Sequence, residues 1–302
     1  MPMSLPRELG LAPHDLSVVD VGAADLGEPA LFQPLVADGW ARLFAFEPDE
    51  RKLDGLRTSL PPGSVILPFA LGDGGEHTLH LAPGGMTSLL EHDPDSYGFY
   101  SVFAGGGALP TGQVRLPTRR LDDVSEIERA DLLKIDIQGA ELMVLQHARE
   151  KLKTASVLQI EVPFVPLYKE QPLFADIDAE LRAQGFMVHG LASLTRLAVS
   201  PLRGRGHNQL VDLDMIFMRD LRRPDRLDDV TLRSTAVIMD DCYGSVDVGM
   251  RCLVELERRG SCSAGLPRAY VHDLNGRSRK AAVHQTPRPR PVTPPDESRT
   301  SP

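Results

Sequence analysis

Residues 131–148, DLLKIDIQGAELMVLQHA, decide the fold. Leu132 to Ile135 form a short buried-strand pattern, Asp136 closes it, Gly139 supplies a turn, and apolar residues then recur at helical spacing over 140–152. A buried strand that ends in an acid, turns on glycine and enters a helix is the repeating step of a parallel sheet wrapped by helices. Working outward, the same step recurs in LSVVDVG (16–22), ARLFAFEPD (41–49), SVILPFALGD (64–73) and ASVLQIEV (155–162), each delivering an acid or a Gly-Asp turn at its carboxyl end. Helices are expected over 28–38, 49–60, 140–152 and 173–184, the last stopped by Gly185. FMVHGL (186–191) and LVDLDMIFMR (210–219) read as two further strands, the second an edge or antiparallel strand that closes the sheet. The expectation is an α/β fold, a mostly parallel sheet with helices on both faces. Ligands of such sheets bind outside the carboxyl ends of the strands.

The rest of the chain divides by composition. Residues 1–15 read as an N-terminal extension and 16–220 as the α/β domain, in which 74–118, with its Gly-rich aromatic run GGMTSLLEHDPDSYGFYSVFAGGG, is too long for a connector and reads as an insertion or substrate cover. Residues 221–275 form a helical extension, with one or two helices over 228–259 that either cap the core or make a subunit contact. Residues 276–302 are a basic, Pro-rich tail with too little apolar surface to offset its ordering entropy, and are expected to be disordered. The chain has 302 residues and a formal net charge of −9, which argues against a nucleic-acid binder, since phosphate affinity comes from clustered Lys and Arg. No apolar stretch approaches the roughly 20 residues of a membrane span. The first residues carry no secretory pattern, so a cytoplasmic location is expected. Cys242, Cys252 and Cys262 have neither zinc-site nor disulfide-framework spacing and read as reduced thiols, with no metal expected.

The candidate site residues are the polar groups at the strand ends. Asp20, Gly22, Ala23 and Gly27 give D-x-G-A-x-x-x-G rather than the G-x-G-x-x-G of a dinucleotide site. An acid beside a tight glycine turn suits a ligand with an ammonium to hold, although Asp and Gly are also ordinary turn residues. Glu47, followed by Pro48, ends the second strand, where a nucleotide-binding sheet places the acid that accepts ribose hydroxyls. Asp73 lies after the third strand, in reach of an adenine amino group or simply closing a turn. As a general base at the strand ends, Asp136 is the first candidate, with Glu161 at the next strand end and His207 in RGRGHNQ as further candidates. Tyr168, Thr87 and Ser88 are candidates to line an acceptor pocket, and Arg203 and Arg205 to attract an anionic acceptor.

KIDIQGAE, together with DVGAADLG, AFEPD, ALGD and TRRLDDV, resembles the FkbM family of S-adenosylmethionine-dependent methyltransferases over roughly 17–220. The resemblance implies a Rossmann-like class I methyltransferase fold that binds S-adenosyl-L-methionine and methylates a hydroxyl, often on a sugar or polyketide-type product. It carries the first-strand motif onto Asp20, Gly22 and Ala23, the ribose acid onto Glu47, and the acid between cofactor and acceptor onto Asp136. The chain departs from the family in Ala24-Asp25-Leu26, where Asn-Ile-Gly is frequent, and in Gln138, where an acid is common. The expected activity is therefore O-methylation of a saccharide or secondary metabolite. The partners are a small-molecule or glycan acceptor and, through the C-terminal helices, a second copy of the chain. A nicotinamide-dependent oxidoreductase and a non-catalytic binding protein of the same fold are the alternatives.

Overall fold

The computed structural model describes residues 3–23, 30–103, 109–202, 207–276 and 288–289. In chain order the elements are Leu5–Glu8 (α1), Leu16–Val21 (β1), Gln33–Ala37 (α2), Ala41–Phe46 (β2), Glu50–Ser59 (α3), Val65–Leu67 (β3), Ala70–Leu71 (β4) and Glu76–Leu81 (β5). Pro94–Phe99 (α4), Gly112–Arg119 (β6), Leu132–Ile135 (β7), Glu141–Gln146 (α5), Arg149–Thr154 (α6), Val157–Pro163 (β8) and Phe174–Ala183 (α7) follow. Phe186–Leu197 (β9), Gln209–Arg219 (β10), Asp229–Asp241 (α8), Val246–Arg258 (α9), Leu266–Gly276 (α10) and the two-residue Arg288–Pro289 (β11) complete the set.

The main sheet has the order β11-β9-β10-β8-β7-β1-β2-β3. Strands β3, β2, β1, β7 and β8 are mutually parallel, while β10 runs antiparallel to both β8 and β9. This is the mostly parallel α/β sheet expected from the sequence. The antiparallel strand is present but lies inside the sheet, and its residues Leu213 to Met218 are all buried. Chain order reverses at β1, whose neighbours are β2 and β7, so the crevice of a doubly wound sheet falls at the carboxyl ends of these strands.

Two apolar layers hold the sheet. On one face Val19, Phe44, Leu133, Ile160 and Phe217 pack with Val144, Leu145 and Leu152 of α5 and α6 and with Ile177 and Leu181 of α7. On the other, Val18, Leu43, Ala45, Val157 and Ile216 pack with Leu5 of α1, Leu35 of α2, Leu232 and Ala236 of α8, Leu253 of α9 and Tyr270 of α10. The apolar sides of the C-terminal helices cap the core, one of the two roles expected for them. The backbone N–H of Met3 donates to Asp273 Oδ1 at 2.9 Å, tying the amino end to α10. Cys242, Cys252 and Cys262 are free.

Four local expectations change. Residues 140–152 form two helices, because the Asp122 carboxylate accepts from the backbone N–H groups of Glu150 (3.1 Å) and Lys151 (2.9 Å) and starts a new helix at Arg149. SVILPFALGD splits at Pro68, which has no N–H to continue a ladder; β3 joins the main sheet and β4 a second sheet of order β4-β6-β5. Beyond the strand signalled by HTLHLA (β5), the 74–118 segment holds α4 and most of a further strand, β6, which pairs with β5 in that second sheet. Helix α2 is confined to Gln33–Ala37, and 24–29 lie outside the described residues. The tail also lies outside them, apart from β11, which pairs with Ser193 and Leu194 of β9.

Asp122→Ala removes both acceptors at the start of α6, and is expected to lower stability by about 1 kcal/mol, the usual value of a helix cap. Urea unfolding would read this as a lower midpoint at unchanged slope. An unchanged midpoint would show that the break between α5 and α6 has another cause.

Candidate functional site

Gly22 sits just beyond β1 with φ +84°. A Cβ at this position would lie 2.1 Å from the backbone oxygen of Asp136, so only hydrogen fits. Gly22 and Ala23 donate their N–H groups to Phe46 O at 3.1 and 3.0 Å, and Asp136 donates its own to Val21 O at 3.0 Å. The ends of β1, β2 and β7 are thereby pinned together. Above them opens a cleft lined by the ends of these strands and by the segment after β5. Its floor is Gly22, Asp136 and Gln138, and one wall is Glu47, Pro48 and Lys52. Val21, Phe46, Phe69, Leu71 and Leu79 give an apolar lining, and Gly85, Thr87, Ser88 and Leu89 arrive from the turn that follows β5.

Glu47 is buried yet polar on both oxygens. Asp49 N donates to Oε1 at 2.8 Å, and Lys52 Nζ lies 3.5 Å from Oε2. Burial pushes its carboxyl above the ordinary range, against the pull of Lys52 and of the Asp49 N–H. The local sequence explains the placement: Asp49 caps α3 through the N–H of Arg51, so the chain turns immediately after Pro48 and leaves Glu47 facing the cleft.

Asp20 has a different environment. In the β1–β7 register it stands opposite Lys134, whose Nζ lies 3.2 Å from Asp20 Oδ1 and 3.8 Å from Asp136 Oδ2. Burial alone would depress the Lys134 ammonium, but Asp20, Asp136 and Asp214 together hold it above the ordinary lysine value. Burial also raises the Asp20 carboxyl, with Lys134 opposing. A lysine this far withdrawn from water is sustained by such partners.

Next to Asp136 the side-chain amide of Gln138 donates from Nε2 to Asp136 Oδ1 (3.0 Å) and to Glu161 Oε2 (2.7 Å), while Tyr168 Oη donates to its Oε1 (3.1 Å). Ser88 Oγ donates to the Gln138 carbonyl at 2.6 Å, joining the segment after β5 to the strand ends. Glu141, fully buried at the start of α5, accepts from the N–H groups of Ile137 (2.9 Å) and Gly139 (2.9 Å to Oε2). Burial pushes its carboxyl up to about 7 against these backbone donors.

The cleft thus brings together Gly22, Glu47, Pro48 and Asp136, with Thr87 and Ser88 beside them. Glu161 and Tyr168 reach it through Gln138. Asp20 and Ala23 are buried behind it, and the Asp20 carboxylate is engaged by Lys134 rather than forming the cleft wall. Asp73 closes its own turn, accepting from Gly75 N at 2.8 Å and pairing with His77 Nε2 at 2.8 Å, and does not line the cleft. His207 is exposed against Arg196 (3.2 Å) and is likewise not among the lining residues. Arg203, Arg205 and Gly27 lie outside the described residues. Lys52, Lys134 and the bridging side chain of Gln138 went unread in the sequence, although a lone Lys inside the buried run LLKI signals an acid partner. Among the described residues no group of three His, Cys, Asp or Glu is placed to hold a metal ion, and no helix is long and apolar enough to cross a membrane.

The family profile described as "Methyltransferase FkbM domain" matches residues 20–188, more than half of the chain. Among solved structures, the chain is similar to magnesium protoporphyrin IX methyltransferase from Synechocystis PCC 6803 with bound SAM (12% identity, 72% of this chain and 74% of that one, TM-score 0.37). It is also similar to precorrin-6y C5,15-methyltransferase from Geobacter metallireducens GS-15 (14% identity, 71% and 86%, TM-score 0.33). A third is a protein in the NADB-Rossmann superfamily from Streptococcus agalactiae (12% identity, 91% and 96%, TM-score 0.35). Likenesses this distant add nothing to what the strand order shows. Among curated proteins, none matches the chain.

Lys134→Met would leave Asp20 and Asp136 without their shared cation, and is expected to cost about 3–5 kcal/mol in urea unfolding, with part regained in Lys134→Met/Asp20→Asn. Equal stability of the wild type and the single variant would mean that the ammonium does not hold these acids. Glu141 gives a pH signature. Its folded value of about 7 lies above its unfolded one, so the native state keeps a proton that the unfolded chain has lost. Wild-type stability should therefore fall relative to Glu141→Gln as pH rises from about 4.5 to about 7, by up to about 3 kcal/mol. Parallel stability–pH curves would remove the claim.

Proposed function

The chain belongs to the FkbM methyltransferase family, and from that premise we propose that it moves the methyl group of S-adenosyl-L-methionine to a hydroxyl of a saccharide or secondary metabolite. The observation that carries this reading is the pair of carboxylates, Glu47 and Asp136, that line one cleft on either side of Gly22. The residues fit the methyl donor's chemistry. A buried acid at the end of β2 suits two ribose hydroxyls, Phe46, Phe69 and Leu71 offer an apolar slot for a flat base, and Asp136 offers a fixed negative charge to a cationic centre. When bound, the donor supplies an electrophilic methyl on a sulfonium.

Methyl transfer to oxygen is an in-line displacement, so alignment supplies much of the acceleration. Glu47 fixes the nucleoside end, and the Thr87–Leu89 segment, held to the strand ends by Ser88, excludes water from one side. Asp136 is engaged by Lys134 near one oxygen and by Gln138 on the other, which suits a stationary charge. Glu161, buried at the end of β8 and one amide away, is then the better candidate to take the hydroxyl proton, with Asp136 as the alternative. Asp20 acts through Lys134 on the placement of Asp136 rather than by direct contact. A nicotinamide-dependent oxidoreductase is not retained, because the matched family transfers methyl groups.

Titration calorimetry with S-adenosylhomocysteine should show micromolar binding, weakened at least tenfold in Glu47→Ala, as loss of a charged hydrogen-bond acceptor implies. Absence of heat in the wild type at high protein concentration would overturn the proposal. Methyl-labelled donor in a host extract, followed by mass identification of the labelled product, would identify the acceptor.

A further inference from the structure

We propose that Gln138 is a positioning residue, whose amide fixes the Glu161 carboxylate as proton acceptor and keeps it apart from Asp136. This rests on the methyl-transfer reading above. The first observation is the backbone. Gln138 has φ +62°, a left-handed conformation in which Gly is comfortable and a longer side chain is uncommon, immediately before Gly139 at φ +111°. Glutamine at this position bears a backbone cost that glycine would not, and every polar group of its side chain is used. Nε2 gives one proton to Asp136 Oδ1 and one to Glu161 Oε2, and Oε1 accepts from Tyr168 Oη. The pattern also fixes the amide orientation, since a nitrogen facing two carboxylates and an oxygen facing a hydroxyl is the only satisfied arrangement.

The second observation is the charge around Glu161. Asp136 faces it from β7, Asp214 stands directly opposite in the β8–β10 register, and Glu161 and Glu141 both lie near the Tyr168 hydroxyl. Lys134 is the cation of this group and sits among Asp20, Asp136 and Asp214. Without a neutral donor between them, Asp136 and Glu161 would meet as like charges. A glutamate at position 138 would add another carboxylate and remove both donated protons. In the transfer step the acceptor oxygen forms its bond to the methyl carbon as the carbon–sulfur bond breaks. The sulfonium becomes a neutral thioether, and the hydroxyl proton passes to Glu161, which goes from carboxylate to acid. Gln138 takes no proton and acts only through Glu161.

Carbon-detected NMR titration of the side-chain carboxyls in the full chain without ligand, with Glu161 assigned by its loss in Glu161→Gln, reads this directly. In Gln138→Met the Glu161 midpoint should rise by about one pH unit or more, as loss of a charge-assisted hydrogen bond implies, and further in Gln138→Glu. An unmoved midpoint in a folded variant overturns the proposal. Should both variants fail to fold, the wild type still decides. The Gln138 side-chain NH₂ resonances should shift in step with the Glu161 titration and cease to do so in Glu161→Gln; resonances indifferent to that titration overturn it. S-adenosylhomocysteine affinity, measured in parallel, separates the two levels: absent binding with a Gln138-dependent Glu161 titration sinks the methyl-transfer reading but not the contact.

Discussion

Asp20, Asp136 and Glu161 stand at the carboxyl ends of β1, β7 and β8, Asp214 lies mid-strand in antiparallel β10 opposite Glu161, and the partly buried Lys134 ammonium is the cation set among Asp20, Asp136 and Asp214. A group of buried carboxylates with no cation would neutralise by taking up protons, or would not fold at all. With Lys134 between Asp20 and Asp136, the first strand can carry an acid into its core and the fourth parallel strand can still present one to the cleft. The register matters as much as the charge, because the parallel pairing of β1 with β7 puts positions 20 and 134 side by side.

From that buried pair the rest of the site is built outward by short-range geometry. Gly22 lets the turn after β1 press against the Asp136 carbonyl, which brings the Glu47 wall and the Asp136 floor to one cleft. The segment after β5 then closes onto the same strand ends through Ser88 and Leu90, the latter so near that a Cβ on Gly139 would lie 2.9 Å from Leu90 Cδ1. Cover, floor and the Tyr168 loop thus meet at the two residues Gln138 and Gly139. In the proposed reaction this is where donor and acceptor have to be aligned, and it is also the place at which this chain carries a glutamine in a strained backbone conformation.

Much of the fold was legible because it depends on local pattern. Buried strands ending in acids at 20, 47, 136 and 161, the helix that begins after Asp49 and the stop at Gly185 are properties of neighbouring residues, and they appear where expected. What was not legible depends on partners far along the chain. The split of 140–152 follows from Asp122, the pairing of Asp20 from Lys134, and the bridge at Gln138 from Glu161 and Tyr168. Asp20 and Asp73 show the limit from the other side. An acid at a strand end looks the same in sequence whether it faces a ligand, a buried lysine or its own turn, and the two acids meet the second and third of these fates.

The central claim is that the cleft between Glu47 and Asp136 is where the methyl donor sits. Hydrogen–deuterium exchange of the full chain with and without S-adenosylhomocysteine tests it most directly. The account predicts slowed exchange in the segments around 22–23, 47–52, 69–71, 85–89 and 136–138. No ligand-dependent change, or protection confined to the separate surface groove at Met187, Arg222 and Arg251, would contradict it.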